Sequence, residues 1–152
     1  MLNPYYVTGF TEAGGSFYVS VSPRKLEHVQ WEIRPTFSLS QKKENRGILY
    51  QIKDFFGCGS VRPSRKDDTY KYEVRNLEEI NKRVLPHFKN YPLLSTGKRK
   101  DFEVLCKVVE MMLQKKHLEK EGLKEILQII FKASSDSKRI YNQQKLNELM
   151  NV

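Results

Sequence analysis

The chain of 152 residues has few of the residues that build disulfide-bonded or zinc-binding folds, with two cysteines and three histidines. Cys58 and Cys106 are too few for a disulfide scaffold, and no cysteine or histidine cluster has the spacing of zinc ligands. The longest apolar run, residues 126–131, includes Gln128, whereas a membrane span needs about 18 residues. The first residues do not resemble a secretory signal. We therefore expect a reduced compartment and no membrane partner.

Positive charge is what the sequence has in excess. Lysine and arginine number 27 against 18 acidic residues, which gives a formal net charge of +9. The chain is 39% hydrophobic and 11% aromatic, enough to build the core of about one domain. By charge alone, nucleic acid is the first candidate partner and an anionic membrane surface the second, and of the two we expect nucleic acid and no membrane.

A short helix is predicted near the start of the chain. Asn3 can accept hydrogen bonds from the first free N–H groups and Pro4 suits the first helical position, so the helix covers residues 5–13. Gly14 and Gly15 end it, as glycines commonly do. One side of this helix carries small and apolar residues that allow close approach of another backbone, namely Tyr6, Val7, Gly9, Phe10 and Ala13.

Period-two alternation then predicts two strands, over residues 16–24 and 29–41. Pro35 interrupts the apolar series of the second strand and indicates a sheet edge or a bulge. The next predicted elements are a helix over 45–56, strands over 58–64 and 69–75, and a helix over 77–88 that Asn76 caps.

Two further helices, over residues 98–116 and 123–132, complete the predicted fold, and Glu121-Gly122 is expected to interrupt the chain between them. We assign residues 3–132 to one domain and residues 133–152 to a polar linker and tail that could contain a short helix.

These elements predict an α+β fold of the order αββαββα with C-terminal helices, in which four antiparallel strands form one sheet. Helices cover one face of that sheet, and the other face is mostly polar and basic. A face that only contacts water would look similar. This face, however, is long and mixes Arg, Lys, Gln, Glu and Ser, the side chains that bind base edges and phosphates.

The opening segment carries a family resemblance. Residues 7–17 read VTGFTEAGGSF and resemble the signature motif of the LAGLIDADG homing endonucleases, in the branch found in fungal organelles. Other segments resemble further motifs of that family in the same order: FSLSQK at 37–42, FGCGSV at 56–61, YPLLSTGKRKDF at 91–102 and KHLEKEGL at 116–123. The resemblance covers residues 3–130.

The resemblance implies a saddle in which two units pack their motif helices together and two four-stranded sheets straddle duplex DNA. Because this chain has one motif, we expect a homodimer or a pair with a related LAGLIDADG chain. The residues expected between the motif helices are Tyr6, Gly9, Phe10 and Ala13. Resemblance and strand parity together place the following residues toward the DNA groove: Tyr18, Ser20, Ser22, Arg24, Gln30, Glu32, Arg34, Ser38, Arg62, Ser64, Thr69, Lys71, Glu73 and Arg75.

The chain departs from the family at its catalytic acid. By resemblance, the residue that binds the divalent metal lies directly before the last motif glycine, and this chain has Gly14 there. Glu12 matches the other, usually structural, acid and points about 200° away around the helix, so it could bind metal only if the helix end were remodelled. Without a metal, a helix C-terminus disfavours an acid, which makes glycine the better residue.

Two further positions of the family's catalytic site are retained. Gln41 matches the residue that orders water in the site, and Lys98 matches the basic residue near the scissile phosphate. Both could instead serve plain phosphate binding. We expect DNA cleavage to be impaired or lost, with no certain cofactor and with Mg²⁺ only if the nuclease is active.

Three functions follow from this reading. The first is a DNA-recognising relative of homing endonucleases with impaired cleavage. The second is an RNA-binding maturase or a component of an organelle ribonucleoprotein such as the ribosome. The third is an active nuclease that uses Glu12 or pairs with an acid-bearing chain. The resemblance alone implies a mitochondrion or another organelle.

Overall fold

The computed structural model describes residues 1–24, 30–133 and 144. Its helices and strands are α1 (Pro4–Gly14), β1 (Gly15–Arg24), β2 (Gln30–Lys42), α2 (Gly47–Phe56), β3 (Ser60–Pro63), β4 (Thr69–Val74), α3 (Leu77–Glu79), α4 (Leu85–Asn90), α5 (Thr96–Leu113) and α6 (Lys120–Lys132). A π-helical turn (Ile80–Val84) joins α3 to α4, and short 3-10 turns precede α2 and α6. The predicted α+β fold and its αββαββα order are confirmed. No helix in the described part is long and apolar enough to cross a membrane.

The four strands form one antiparallel sheet in the order β1-β2-β4-β3. Strands β1 and β2 pair over their whole length, from Gly15 opposite Leu39 to Arg24 opposite Gln30. Strand β4 pairs with β2 only from Phe37 onward. Among the described residues, the first part of β2 therefore has β1 as its only partner strand, and Pro35 lies in this part. The expectation that Pro35 marks a sheet edge is confirmed, because proline offers no N–H to a further strand.

The core lies between one face of the sheet and the helices. Phe17 and Phe37 stack with ring centroids 5.2 Å apart, and Phe88 of α4 packs edge-on against both. Two smaller clusters extend this core along the hairpin. Helix α6 contributes Leu127 and Phe131, which pack with Trp31 at the outer part of β2. The C-terminal helix thus supports the part of the hairpin that β4 does not reach.

Helix α1 begins and ends as expected. The Asn3 side chain accepts a hydrogen bond from the Tyr5 N–H (2.8 Å), and Pro4 is the first helical residue. The chain then passes directly into β1 at Gly15. A Cβ atom at Gly15 would lie 2.7 Å from a Leu39 methyl carbon and 2.9 Å from the Thr11 carbonyl oxygen. The absence of a side chain there lets α1 end tightly against β2.

The predicted interruption at Glu121-Gly122 is wrong. Gly122 lies in the first turn of α6 and is buried. A Cβ atom there would come within 2.1 Å of the Lys116 carbonyl oxygen. The chain turns earlier, at Lys115, which adopts a left-handed conformation with φ of 61°. The glycine therefore serves close packing rather than a helix end.

The helix predicted over residues 77–88 contains Pro86 and still continues to Asn90. A proline inside an α-helix lacks a donor and collides with the carbonyl four residues earlier. The π-helical turn before it changes that geometry, with the Leu85 N–H donating to the Ile80 carbonyl. The linker and the short helix predicted for residues 133–152 lie almost wholly outside the described residues.

Candidate nucleic-acid interface

The polar face of the sheet is set by the strand register. Opposite residues share a face, and Ser20 lies opposite Arg34, Tyr18 opposite Thr36, and Arg62 opposite Lys71. Tyr18, Ser20, Ser22, Arg34 and Arg62 are exposed on this face. Thr69, Lys71 and Ser64 are half-buried. Arg24 and Gln30 pair at the far end of the hairpin, and their side chains lie outside the described part of the chain.

Two residues that we expected to contact DNA are buried within this face. Ser38 is 4% exposed and Glu73 is 6% exposed. They lie opposite each other in the register, between Ser16 on one side and Ser60 on the other. They share the polar face with the other predicted groove residues, but their burial leaves them little surface for direct contact with DNA.

Sequence reasoning missed other polar residues on the same face. Ser16, Ser40, Lys42 and Ser60 are exposed and lie opposite residues of the predicted set. The alternation that placed Ser38 and Lys71 toward the groove also points to these four. The face that the structure presents is therefore longer than predicted toward β3 and the C-terminal end of β2.

Both acidic side chains on the strands of this face bind arginines. Glu32 lies 2.5 Å from the Arg34 guanidinium. Glu73 accepts hydrogen bonds from Arg62 Nη2 at 3.1 Å and pairs with Arg75 Nε at 2.7 Å. The acids therefore neutralise part of the positive charge, and the excess that remains on the face is basic.

Glu12 bridges the motif helix to α5. Its carboxylate accepts hydrogen bonds from the Ser95 backbone N–H (3.1 Å) and the Ser95 hydroxyl (3.0 Å). Ser95 is the N-cap residue of α5, and its own side chain makes no capping bond. Glu12 thus supplies the acceptor and the negative charge that a helix N-terminus favours. The partner lies 83 residues away, so no local signal could have identified it.

The other three positions of the family's catalytic site lie where α1 ends, and they are Gly14, Gln41 and Lys98. A Cβ atom at Gly14 would meet only the Ser40 carbonyl oxygen, at 3.9 Å. Lys98 Nζ donates to the Gly15 carbonyl. The Gln41 side chain, which follows Ser40, accepts from the Lys42 N–H at 3.0 Å. The fold thus brings Gly14, Gln41 and Lys98 to one end of the sheet.

The residues at this helix end do not fit a catalytic metal. Gly14 supplies no carboxylate, and the Glu12 carboxylate is already bound to Ser95. Among the described residues, no group of three or more His, Cys, Asp and Glu side chains is arranged to hold a metal ion. Asp101 interacts electrostatically with Lys98, and partial burial raises the pKa of its carboxyl while Lys98 opposes this shift.

The outward side of α1 is largely apolar and uncovered in the isolated chain. Tyr6, Gly9 and Ala13 are exposed and Phe10 is half-buried, at the spacing of one helical face. A Cβ atom at Gly9 would meet nothing within 4 Å. Leu94, beside the Ser95 that contacts α1, is 82% exposed. An uncovered apolar helix face of this kind is typical of a protein contact surface.

The family model described as LAGLIDADG endonuclease matches residues 7–109. The chain belongs to the LAGLIDADG endonuclease family. Residues 7–109 contain most of α1, the complete sheet and most of α5, so the family relation covers the polar sheet face and the motif helix together.

Intron-encoded and homing endonucleases resemble the chain in sequence and in fold. "Probable intron-encoded endonuclease 2" of Neurospora crassa is 32% identical over 128 residues, 84% of this chain. The crystal structure of the homing endonuclease I-TnaI matches with a TM-score of 0.84 and 33% identity, over 97% of this chain and 98% of that one. I-SmaMI bound to cleaved DNA matches with a TM-score of 0.83 and 33% identity, over 95% of this chain and 49% of that one. Other curated relatives are proteins of fungal ND4 and cox1 introns.

The chain spans about a quarter of the length of several curated relatives. It covers 28% of the Neurospora crassa protein. In I-SmaMI it covers about half of the chain, whereas it covers nearly all of I-TnaI.

Proposed function

We propose that this chain is a LAGLIDADG unit that binds duplex DNA through its polar sheet face and has impaired cleavage. The exposed face carries Arg34, Arg62 and Lys42, and it continues over all four strands. Arginine and lysine side chains bind phosphates and guanine edges in the major groove. The I-SmaMI structures bound to DNA support duplex DNA as the partner.

We propose that a second unit packs against the outward side of α1. The exposed Tyr6, Gly9 and Ala13 allow close helix contact, and the match of this chain to half of I-SmaMI supports an assembly of two units. A second copy of this chain would form a symmetric dimer. A related LAGLIDADG chain is the other possible partner.

The lack of a free carboxylate from Gly14 or Glu12 at the C-terminal end of α1 is the observation that supports impaired cleavage. Gly14 has no side chain, and Glu12 is bound to Ser95. By resemblance, the family has an acid at the position of Gly14, and that acid binds the divalent metal. A bound metal stabilises charge on the reacting oxygens. Neither Gly14 nor Glu12 offers a free carboxylate in place of that acid, so Mg²⁺ is a cofactor here only if activity remains.

Restoring the acid tests this proposal directly. Gly14 has an ordinary backbone conformation and free space, since only the Ser40 carbonyl lies near the Cβ position. The native chain, Gly14→Glu and the uncharged control Gly14→Gln are incubated with a plasmid library in Mg²⁺ or Mn²⁺. We expect only Gly14→Glu to cut. Cleavage by the native chain would overturn the loss of activity.

A binding competition separates DNA from RNA. Random-sequence duplex DNA and structured RNA of equal length compete for the native chain in a salt series, because phosphate contacts weaken both as salt rises. We expect the duplex to win. Preference for the RNA at every salt concentration would favour the maturase or ribonucleoprotein role instead. The relatives in fungal ND4 and cox1 introns support mitochondrial location as part of this proposal.

A further inference from the structure

One carboxylate on the sheet face is buried between two arginines. The Glu73 side chain is 5% exposed, and both of its oxygens lie 3.1 Å from Arg62 Nη2. Arg75 Nε lies 2.7 Å from Oε2 of the same carboxylate. The two guanidinium groups come from different places, Arg62 from β3 and Arg75 from the residue after β4.

The contacts use only part of each guanidinium group. Arg62 bonds through Nη2, and Arg75 pairs through Nε. Among the described residues, no side chain pairs with Arg75 Nη1 or Nη2, which form the outer end of its guanidinium group. The side chain of Arg75 is 41% exposed and that of Arg62 is 54% exposed. Donors therefore remain available on the open side of the sheet.

The burial of Glu73 fixes where these arginines lie. A buried carboxylate without partners is strongly unfavourable, so the charge keeps both guanidinium groups close. Long arginine side chains otherwise lose rotamer freedom on binding. Because Glu73 holds one end of each guanidinium group, much of that ordering is complete before a ligand arrives. Glu32, by contrast, binds Arg34 where both side chains are substantially exposed.

We propose that Glu73 is a positioning residue that orients Arg75, with Arg62 beside it, to read one guanine in the major groove. With Nε held by Glu73, the outer pair Nη1 and Nη2 of Arg75 is directed away from the carboxylate. Two parallel donors of this kind match O6 and N7 of guanine. This inference rests on the proposed binding of duplex DNA through the sheet face, and it assigns Glu73 a role in specificity without contact to DNA.

The net charge of the arginine cluster distinguishes a positioning role of Glu73 from a simple electrostatic effect on DNA affinity. The cluster of Glu73, Arg62 and Arg75 has a net charge of +1, and Glu73→Gln raises it to +2. Attraction to phosphate then increases or stays equal, while the arginines lose the group that orients them. A residue that only stabilised the fold would lower the melting temperature and all DNA binding together. The inference therefore predicts lower selectivity without lower affinity for random DNA.

Selection from a random duplex DNA library tests this. The native chain, Glu73→Gln, Arg75→Lys and the control Glu32→Gln each select sites, and the enriched sequences are compared. We expect a guanine enriched at one position by the native chain and by Glu32→Gln. Its preference over the other bases should fall about tenfold in Glu73→Gln and Arg75→Lys, with affinity for random duplex unchanged or higher in Glu73→Gln. The double variant should lose no more than either single variant.

The outcomes separate this inference from the proposal on which it rests. If the native chain enriches no duplex sequence, the proposed function fails and the inference fails with it. If the native chain selects a site and that site is unchanged in Glu73→Gln and Arg75→Lys, only the inference is overturned. Arg75 is exposed, so an unchanged selected site in Arg75→Lys would overturn the inference even if Glu73→Gln does not fold.

Discussion

The Thr8 hydroxyl of α1 lies 3.1 Å from Nε2 of His87 in α4. The same hydroxyl donates a hydrogen bond to the Tyr91 carbonyl at 2.8 Å. Nε2 of His87 is therefore the donor to Thr8, and the neutral ring carries its proton there. The ring is 8% exposed and surrounded by Phe55, Phe56 and Phe88. This contact fixes the motif helix to the helix behind it.

Stability should fall in mild acid because of His87. Burial lowers the pKa of its imidazole to about 4, so the folded state favours the neutral ring. The contribution is complete above about pH 6.5 and is lost as pH falls from there toward 4, to a total of up to about 3 kcal/mol. Urea unfolding of the native chain and of His87→Gln at pH 7.5 and 4.5 measures this. We expect a smaller pH dependence in His87→Gln, and equal dependence in both would contradict the assignment.

Removing the Glu12 carboxylate should destabilise the fold. Glu12→Ala deletes the acceptor at the N-terminus of α5, and loss of a cap costs about 1 kcal/mol. Glu119 is the matched control, since it is the N-cap residue of α6 and its side chain makes no capping bond. The two variants are compared by chemical denaturation, and an equal loss of unfolding free energy would exclude the capping role.

Replacing two helical glycines by alanine should have different effects on the stability of the fold. Gly122→Ala places a Cβ atom within 2.1 Å of the Lys116 carbonyl oxygen, so the junction of α5 and α6 must shift and the melting temperature should fall by several degrees. At Gly97, in the first turn of α5, a Cβ atom meets nothing within 4 Å. Gly97→Ala should therefore be neutral or stabilise by up to about 1 kcal/mol. A thermal melt of each variant gives the answer.

Bulk at Gly9 should block pairing of two units without harming the fold. The Cβ position of Gly9 is open in the single chain, so Gly9→Leu should leave the melting temperature of the monomer unchanged. In a close helix contact the leucine would collide with the partner, and we expect self-association to weaken tenfold or more, about 1.4 kcal/mol. Sedimentation equilibrium compares it with Gly97→Leu. Unchanged association of Gly9→Leu would place the contact elsewhere.

Local patterns predicted the elements well, because helix and strand periods are properties of consecutive residues. The alternation over 16–24 and 29–41 matches β1 and β2 to within a residue at each end. The same pattern could not show that β4 reaches only the second half of β2. Nor could it distinguish a glycine that ends a helix from Gly122. A glycine is needed at this position because the Lys116 carbonyl oxygen approaches closely.

The candidate site was predicted only in part, because strand parity is a local property and contacts between separate segments are not. Strand parity placed Arg62 and Lys71 on the polar face, and the register confirms that they share it. Arg75 follows Glu73 at the strand period of two, but the burial of Glu73 also depends on Arg62 of the neighbouring strand β3, which no local pattern identifies. The partner of Glu12 lies much farther along the chain, 83 residues away in the loop before α5. Roles that depend on such distant contacts could be found only in the folded chain.

In the proposed complex with duplex DNA, the length of the β1–β2 hairpin determines how many base pairs the sheet face can follow. Ten residue pairs join the two strands, and at about 3.3 Å per residue they extend about 33 Å. Base pairs repeat about every 3.4 Å, so a hairpin lying along the groove can follow about ten of them. Since α6 supports the outer part of this hairpin through Trp31, Leu127 and Phe131, shortening the C-terminal helix should shorten the footprint before it weakens the contacts nearest the motif helix.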